Sequence, residues 1–188
     1  RKIYMDSHQY DKTWCVCNKL AVLKKADPDR VEFFEQYEPR LRLAEAYDAS
    51  GWFHAYHMAE HHGTPLGAAP SPPVFLSALA SRTTRLRFGA MVFCLAAYHP
   101  YRFYEELCML DQLSHGRLDV GIGRGPSPLE RAVYGIPADN AQCIADECYR
   151  VLRLGLENEM LDFQGEFHCF DRIPMFVRPY QQPHPPLW

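Results

Sequence analysis

Leu86-Arg-Phe-Gly-Ala-Met-Val-Phe-Cys-Leu95 is a nearly unbroken apolar run in the middle of the chain. A strand with one wet face alternates apolar and polar residues, whereas a strand buried on both faces does not, and this run suits a parallel strand covered on both sides. Downstream, His99-Pro100 opens a helix, with Phe103, Leu107 and Leu110 at helical spacing and Gly116 at its end. Leu118, Val120 and Ile122 then alternate with Asp119, Gly121 and Gly123, which predicts a second strand. Asp139 and Gln142 resemble a capping box for a helix carrying Ile144, Cys148, Val151 and Leu152. Residues 161–170 read as a hairpin turning at Gly165, and the tail Pro183-His-Pro-Pro-Leu-Trp188 ends where another strand would begin.

Upstream, Ser71-Pro72 is a helix start followed by the apolar face Val74, Phe75, Ala78 and Leu79. Trp52-Phe-His-Ala-Tyr-His57 is short and aromatic, lies between Gly51 and the turn-rich Gly63-Thr-Pro-Leu-Gly67, and reads as a strand. Before it, Phe34, Tyr37, Leu41 and Ala44 recur at helical spacing, with Pro39 interrupting the pattern and Gly51 ending it. Lys2-Ile-Tyr-Met5 forms a possible first strand, and the polar segment through Asp27-Pro28-Asp29 a loop. This alternation predicts an α/β fold in which 52–57, 86–94 and 118–122 are adjacent parallel strands with helices outside.

The chain has 188 residues, a length that suits one domain. Hydrophobic residues make up 47% and aromatics 13%, enough apolar area to drive collapse and exclude disorder. No run of about 20 apolar residues exists to span a membrane. No apolar stretch with a cleavage site follows Arg1, which points away from a secretion signal. A net charge of −3 without a Lys/Arg block argues against nucleic-acid or anionic-membrane partners. The 7 cysteines are odd in number and irregular in spacing, most within apolar segments, and suggest a reducing cytoplasm rather than a disulfide framework.

Ligands of α/β folds lie beyond the carboxyl ends of the strands, which ranks three clusters. In the first, His54, His57, His61 and His62 lie within nine positions. His57 and His61 on one helix could hold a metal, but the segment reads as strand running into loop, and no metal ligands are assigned. The remaining readings are hydrogen-bonded loop histidines, or one histidine working on a bound ligand near neutral pH. The second cluster is Ala90-Met-Val92 at the end of the apolar run, with His99 beyond it; by composition alone it reads as core rather than cofactor wall. The third, Gly121-Ile-Gly-Arg-Gly125, departs from the dinucleotide fingerprint because its third glycine comes one residue early. Glycines at 121 and 123 leave room for a flat ligand or for close backbone; Arg124 could hold an anion, but taken alone the motif reads first as a tight strand-to-loop turn with a surface arginine. Asp111, Glu105 and Glu106 read as solvated helix-face or capping charges.

Ala59-Glu-His-His62, Arg85-Leu-Arg-Phe-Gly89, Tyr98-His-Pro100, Met109-Leu-Asp-Gln-Leu-Ser-His-Gly-Arg117 and Gly121-Ile-Gly-Arg-Gly125 occur in this order. Together they resemble the bacterial luciferase-like flavin monooxygenases, from about residue 40 to the last residue. The resemblance implies a (β/α)8 TIM barrel, reduced FMN supplied by a reductase or NAD(P)H, and dioxygen as co-substrate. It implies a flavin hydroperoxide that oxidises a small organic substrate, and a homo- or heterodimer. By position, His61 matches the catalytic histidine beside the flavin ring. Ala90, Met91 and Val92 match the strand end against the isoalloxazine, with a non-proline cis peptide at Met91–Val92. Gly123, Arg124 and Gly125 match the strand end where an arginine approaches the flavin phosphate. Residue 123 is often Cys in light-emitting members and is Gly here, which argues against light emission.

A complete barrel takes about 250 residues. Residues 1–188 are therefore expected to form a single partial barrel domain, about four βα units and a β-hairpin, interrupted before its fifth strand is complete. Two alternatives stand beside the monooxygenase: a non-catalytic flavin-binding or deazaflavin-dependent relative working by hydride transfer, and a His-rich metal-binding domain.

Overall fold

The computed structural model describes residues 37–188 apart from 64–68 and 126. The expected strand at Lys2, the loop through Asp29, Phe34 and most of the turn at 63–67 lie outside the described residues. In chain order the elements are α1 (Tyr37–Ser50), β1 (Ala55–Met58), α2 (Pro72–Arg82), β2 (Arg87–Cys94), a 3-10 turn (Leu95–Ala97), α3 (Pro100–Leu113) and β3 (Leu118–Gly123). They continue with α4 (Pro128–Tyr134), α5 (Ala141–Glu157), β4 (Met160–Gln164) and β5 (Cys169–Pro174).

β1, β2 and β3 form one parallel sheet in that order, as the alternation predicts. On one face, Phe88, Ala90, Leu118 and Val120 join a single core with Leu76 and Leu79 of α2, Phe103 and Leu107 of α3, and Cys148 and Leu152 of α5. Period-two alternation sends Arg87, Gly89, Asp119 and Gly121 to the other face. The tail extends the sheet as expected. Leu187 bridges Val120 in parallel, and Trp188 N–H donates to the Val120 carbonyl at 2.9 Å. β4 and β5 form the antiparallel hairpin predicted around Gly165.

Charged side chains fix the amino ends of the strands. Asp48, at the end of α1, accepts the Thr84, Arg85 and Leu86 N–H groups at 2.9, 2.8 and 2.6 Å. Burial pushes its carboxyl up, but these hydrogen bonds outweigh burial and leave it below the ordinary range. Arg117 donates to the Ala80, Leu86 and Ser114 carbonyls and to Thr83 Oγ1, tying the ends of α2 and α3 to the start of β2. His57 and Asp119 flank Gly89 in one row, with His57 Nε2 3.1 Å from Asp119 Oδ2, while Arg87 clamps Asp119 Oδ1 at 2.6 Å.

Several expectations change. β1 begins at Ala55, not Trp52, because its pairing starts where Ala55 meets the first residue of β2; Trp52 stays 90% exposed. Pro39 does not interrupt α1, which runs through it from Tyr37 to Ser50. Asp139 and Gln142 form no capping box: Asn140 precedes α5, and Gln142 Nε2 donates to Asp146 at 2.7 Å. Asp111 is fully buried, not solvated, and its two oxygens accept from Gln181 N–H and Nε2 at 2.7 Å. Glu105 and Glu106 are half-buried, and Arg102 Nε donates to Glu106 at 2.8 Å.

Candidate functional site

The three parallel strands end together, and the chain leaves each one differently. After β1 the segment Ala59-Glu-His-His62 runs as loop. β2 bulges, because Ala90 pairs with Val120 and Phe93 with Ile122, which places Met91 and Val92 opposite Gly121 alone. The Met91–Val92 peptide within this bulge is cis, where the resemblance puts it. A Cβ at 121 would lie 2.5 Å from the Ala90 carbonyl oxygen and from Met91 Sδ, and one at 123 would lie 2.3 Å from Val92 Cγ2. Of the two readings of these glycines, the room is therefore taken by the chain's own β2, with its two residues turned onto β3.

Between the strand ends and α4 lies an open cleft of about 490 Å³. Its floor is Ala59, Met91, Val92, Cys94 and Gly123, with His61 and Arg124 also on its lining. The cleft thus brings together His61, Met91, Val92, Gly123, Arg124 and Gly125 from the sequence-derived set. Ala90 is not among them: it is fully buried, its side chain in the core behind the floor. A second cleft of about 320 Å³, walled by Leu95, Ile122, Tyr149 and Trp188, joins the first through Gly123, Arg124 and Gln142.

The histidines have separate carboxylates. His62 is buried; its Nε2 lies 2.7 Å from Glu60 Oε1 and its Nδ1 2.9 Å from Tyr134 Oη. Because a carboxylate can only accept, Nε2 donates to Glu60. The other Glu60 oxygen accepts Cys94 N–H at 2.9 Å and Tyr98 O–H at 3.0 Å. His61 is different. Its side chain is 41% exposed and its Nδ1 lies 3.3 Å from Glu130 Oε1. Among the described residues its Nε2 has no partner, and neither has the Arg124 guanidinium. His57 sits in β1 against Asp119 and His61 in the loop against Glu130, so they share no helix face. Among the described residues no group of three or more metal-ligating side chains occurs.

Buried thiol and phenol groups around the cleft stay protonated at neutral pH. Burial, with Glu60 and Glu130 nearby, pushes the Cys94 thiol up to about 12, so it is no nucleophile. Burial and the adjacent Glu60 push the Tyr98 phenol well above its ordinary value. Glu130 is 2% exposed. Burial pushes its carboxyl up, but hydrogen bonds from Ser127 and the His62 N–H outweigh burial and leave it below the ordinary range.

Sequence reading missed α4 and Glu130. The local signal was present: Ser127-Pro128-Leu129-Glu130 is a capping box with proline in the first turn, and both its hydrogen bonds form. Glu60 was named only within its cluster, with no partner.

Comparison with known proteins gives a consistent result. A family model described as luciferase-like monooxygenase matches residues 18–188. The uncharacterized protein y4wF of Sinorhizobium fredii is 43% identical over 173 residues, covering 91% of this chain and 50% of that protein. The oxygenase component of the flavin-dependent trigonelline monooxygenase of Acinetobacter baylyi is 32% identical, covering 81% of this chain and 42% of that protein. Among solved structures, the monooxygenase RslO1 of Streptomyces bottropensis superposes with a TM-score of 0.75 at 37% identity, covering 80% of this chain and 46% of that one. The oxygenating constituent of 3,6-diketocamphane monooxygenase of Pseudomonas putida, in complex with FMN, superposes with a TM-score of 0.72, covering 80% and 45%. At 20% identity this second likeness is one of fold. The chain spans half or less of the length of these relatives. With the family model matched over nearly its whole length, the chain belongs to the luciferase-like monooxygenase family.

Proposed function

We propose that the cleft binds reduced FMN and that the protein is a flavin-dependent monooxygenase acting on a small organic substrate such as an aldehyde or ketone. One observation carries this reading: His61, Met91–Val92 and Gly123–Arg124–Gly125, from three neighbouring strand ends, meet in one cleft. The cleft's lining suits the cofactor, with apolar residues for a flat ring and, for an anionic tail, the Arg124 guanidinium, which has no partner among the described residues. In this reading the β1–β2–β3 sheet, continued by Leu187, is part of a (β/α)8 barrel. Ala90 supports the floor from behind.

Reduced FMN, when bound, would supply the two electrons that let dioxygen deliver one oxygen atom to the substrate while the other leaves as water. The chain's own residues do the rest. Met91 and Val92 would seat the ring and keep water from it. Arg124 holds the phosphate through charge-assisted hydrogen bonds. His61 Nε2 takes or returns a proton beside the ring. A cysteine at 123, the residue often found in light-emitting members, would bring its Cβ within 2.3 Å of Val92 Cγ2, so this cleft is shaped around Gly123. The 3,6-diketocamphane and trigonelline enzymes are named as an oxygenating constituent and an oxygenase component. We extend that arrangement here, with a separate reductase or NAD(P)H supplying reduced flavin, in a cytoplasmic homo- or heterodimer.

The test is product formation with reduced FMN, isotopically labelled dioxygen and a panel of aldehydes and ketones. The expected result is labelled oxygen in product, and a loss of about 10²-fold or more in His61→Ala with FMN binding retained. Substrate reduction by hydride transfer from a reduced deazaflavin, with no label incorporated with FMN, would replace this reading with a deazaflavin-dependent reductase. Unchanged turnover in His61→Ala would leave His61 a structural loop residue.

A further inference from the structure

We propose that Glu130 is the positioning residue for His61: its carboxylate holds the ring proton on Nδ1 and so turns the Nε2 lone pair to the cleft. This rests on the reading of His61 as the proton-handling group.

The contacts of the two Glu130 oxygens carry the argument. Oε2 accepts Ser127 N–H at 2.7 Å, which is its share of the capping box that starts α4. Capping α4 needs nothing more from the side chain. Yet Oε1 reaches back across the chain, accepting His62 N–H at 2.6 Å and facing His61 Nδ1 at 3.3 Å. Each oxygen already receives an N–H, so the group acts as an acceptor, and only a protonated Nδ1 makes an attractive contact with it. The carboxylate is buried, so water screens this preference little.

The neighbouring histidine shows what the arrangement distinguishes. Tyr134 follows Glu130 by one helical turn, and its hydroxyl takes His62 Nδ1 while Glu60 takes His62 Nε2. Both nitrogens of His62 are therefore engaged, whereas His61 has Nδ1 engaged and Nε2 free among the described residues. One face of α4 thus separates two adjacent histidines, one locked and one poised. The protonated nitrogen of a histidine is set by the hydrogen bond that nitrogen makes, and a carboxylate is a common partner for it.

The experiment is imidazole nitrogen NMR on the protein carrying this chain, without flavin, in wild type, Glu130→Ala, Glu130→Asp and Ser127→Ala. In wild type at a pH where His61 is neutral, the proton is expected on Nδ1. In Glu130→Ala it moves predominantly to Nε2, the site favoured by free histidine, and product formation falls about 10- to 100-fold. Glu130→Asp, which keeps the carboxylate, restores part of the Nδ1-protonated form. Ser127→Ala weakens the cap but leaves the carboxylate, and is expected to retain that form; this separates positioning from loss of helix α4. A wild-type proton on Nε2, or an Nδ1 proton kept in Glu130→Ala, would overturn the proposal. The tautomer is read without cofactor, so the two readings fail separately. A silent His61→Ala with a shifted tautomer in Glu130→Ala would sink only the proposed function, and the reverse pair would sink only the role of Glu130.

Discussion

The same three strands carry buried charge at both ends, but the two ends treat it differently. At the amino ends, Asp48, Arg117, Arg87 and Asp119 are bonded to several groups each, mostly backbone carbonyls and N–H groups of the elements they join. At the carboxyl ends, Glu60 and Glu130 are bonded as fully, yet the cleft they line also holds two groups without a partner among the described residues, His61 Nε2 and the Arg124 guanidinium. A buried charge whose every hydrogen bond is made within the chain holds the fold and has nothing left for a ligand. Under the proposed function, substitution at the amino ends is therefore expected to cost stability, and at the carboxyl ends to cost binding and chemistry.

The largest effect is expected at Asp48. Asp48→Ala leaves three backbone N–H groups between α2 and β2 without their acceptor, and should lower unfolding free energy by about 3 kcal/mol or more. Denaturant midpoints would measure it, with FMN affinity per folded molecule unchanged. If Asp48→Ala instead kept its stability and lost FMN, the division between the two ends would be wrong. Next is Gly121→Ala, which drives a Cβ to 2.5 Å from the Ala90 carbonyl and Met91 Sδ. The strain should cost about 1–3 kcal/mol and also displace the cleft floor, so stability and flavin binding should fall together. A loss in only one of them would separate the bulge from the site.

A smaller effect concerns pH. The Glu130 carboxyl lies below its ordinary value in the folded chain. Its contribution to stability is therefore present above the ordinary carboxylate range and lost as pH falls through the lowered folded value. The His62 amide, whose nitrogen lies 2.6 Å from Glu130 Oε1, should report that titration at a pH below that of a free glutamate. A His62 amide that titrates like a free glutamate would mean that the Glu130 cluster contributes little.

Much of the sheet was legible because its signals are local. The apolar run at 86–95 and the alternation at 118–123 name their own strands, and the glycines at 121 and 123 marked the place where another group comes close. Which group came close was not legible, because that depends on the bulge in β2. Trp52 and Phe53 read as strand from composition, but sheet register starts β1 at Ala55. The false capping box at Asp139 and the overlooked one at Ser127 have the same local pattern. Only the second puts its acidic side chain where the chain returns, against His62. Asp111 read as solvated because its partner, Gln181, lies 70 residues away. Glu130 was missed for the same reason, its contacts being 68 and 69 residues off. Long-range hydrogen bonds of buried carboxylates leave no periodic trace in a sequence.

In the proposed function, the carboxyl ends of the strands hold a flavin phosphate through Arg124. Fluorescence-quenching titrations with FMN and with riboflavin, on wild type and Arg124→Ala of the protein carrying this chain, test it most directly. A charge-assisted contact of about 1.5–3 kcal/mol predicts about ten- to a hundredfold weaker FMN binding in the variant, with riboflavin, which has no phosphate, barely changed. Equal losses for FMN and riboflavin, or no loss for either, would contradict it.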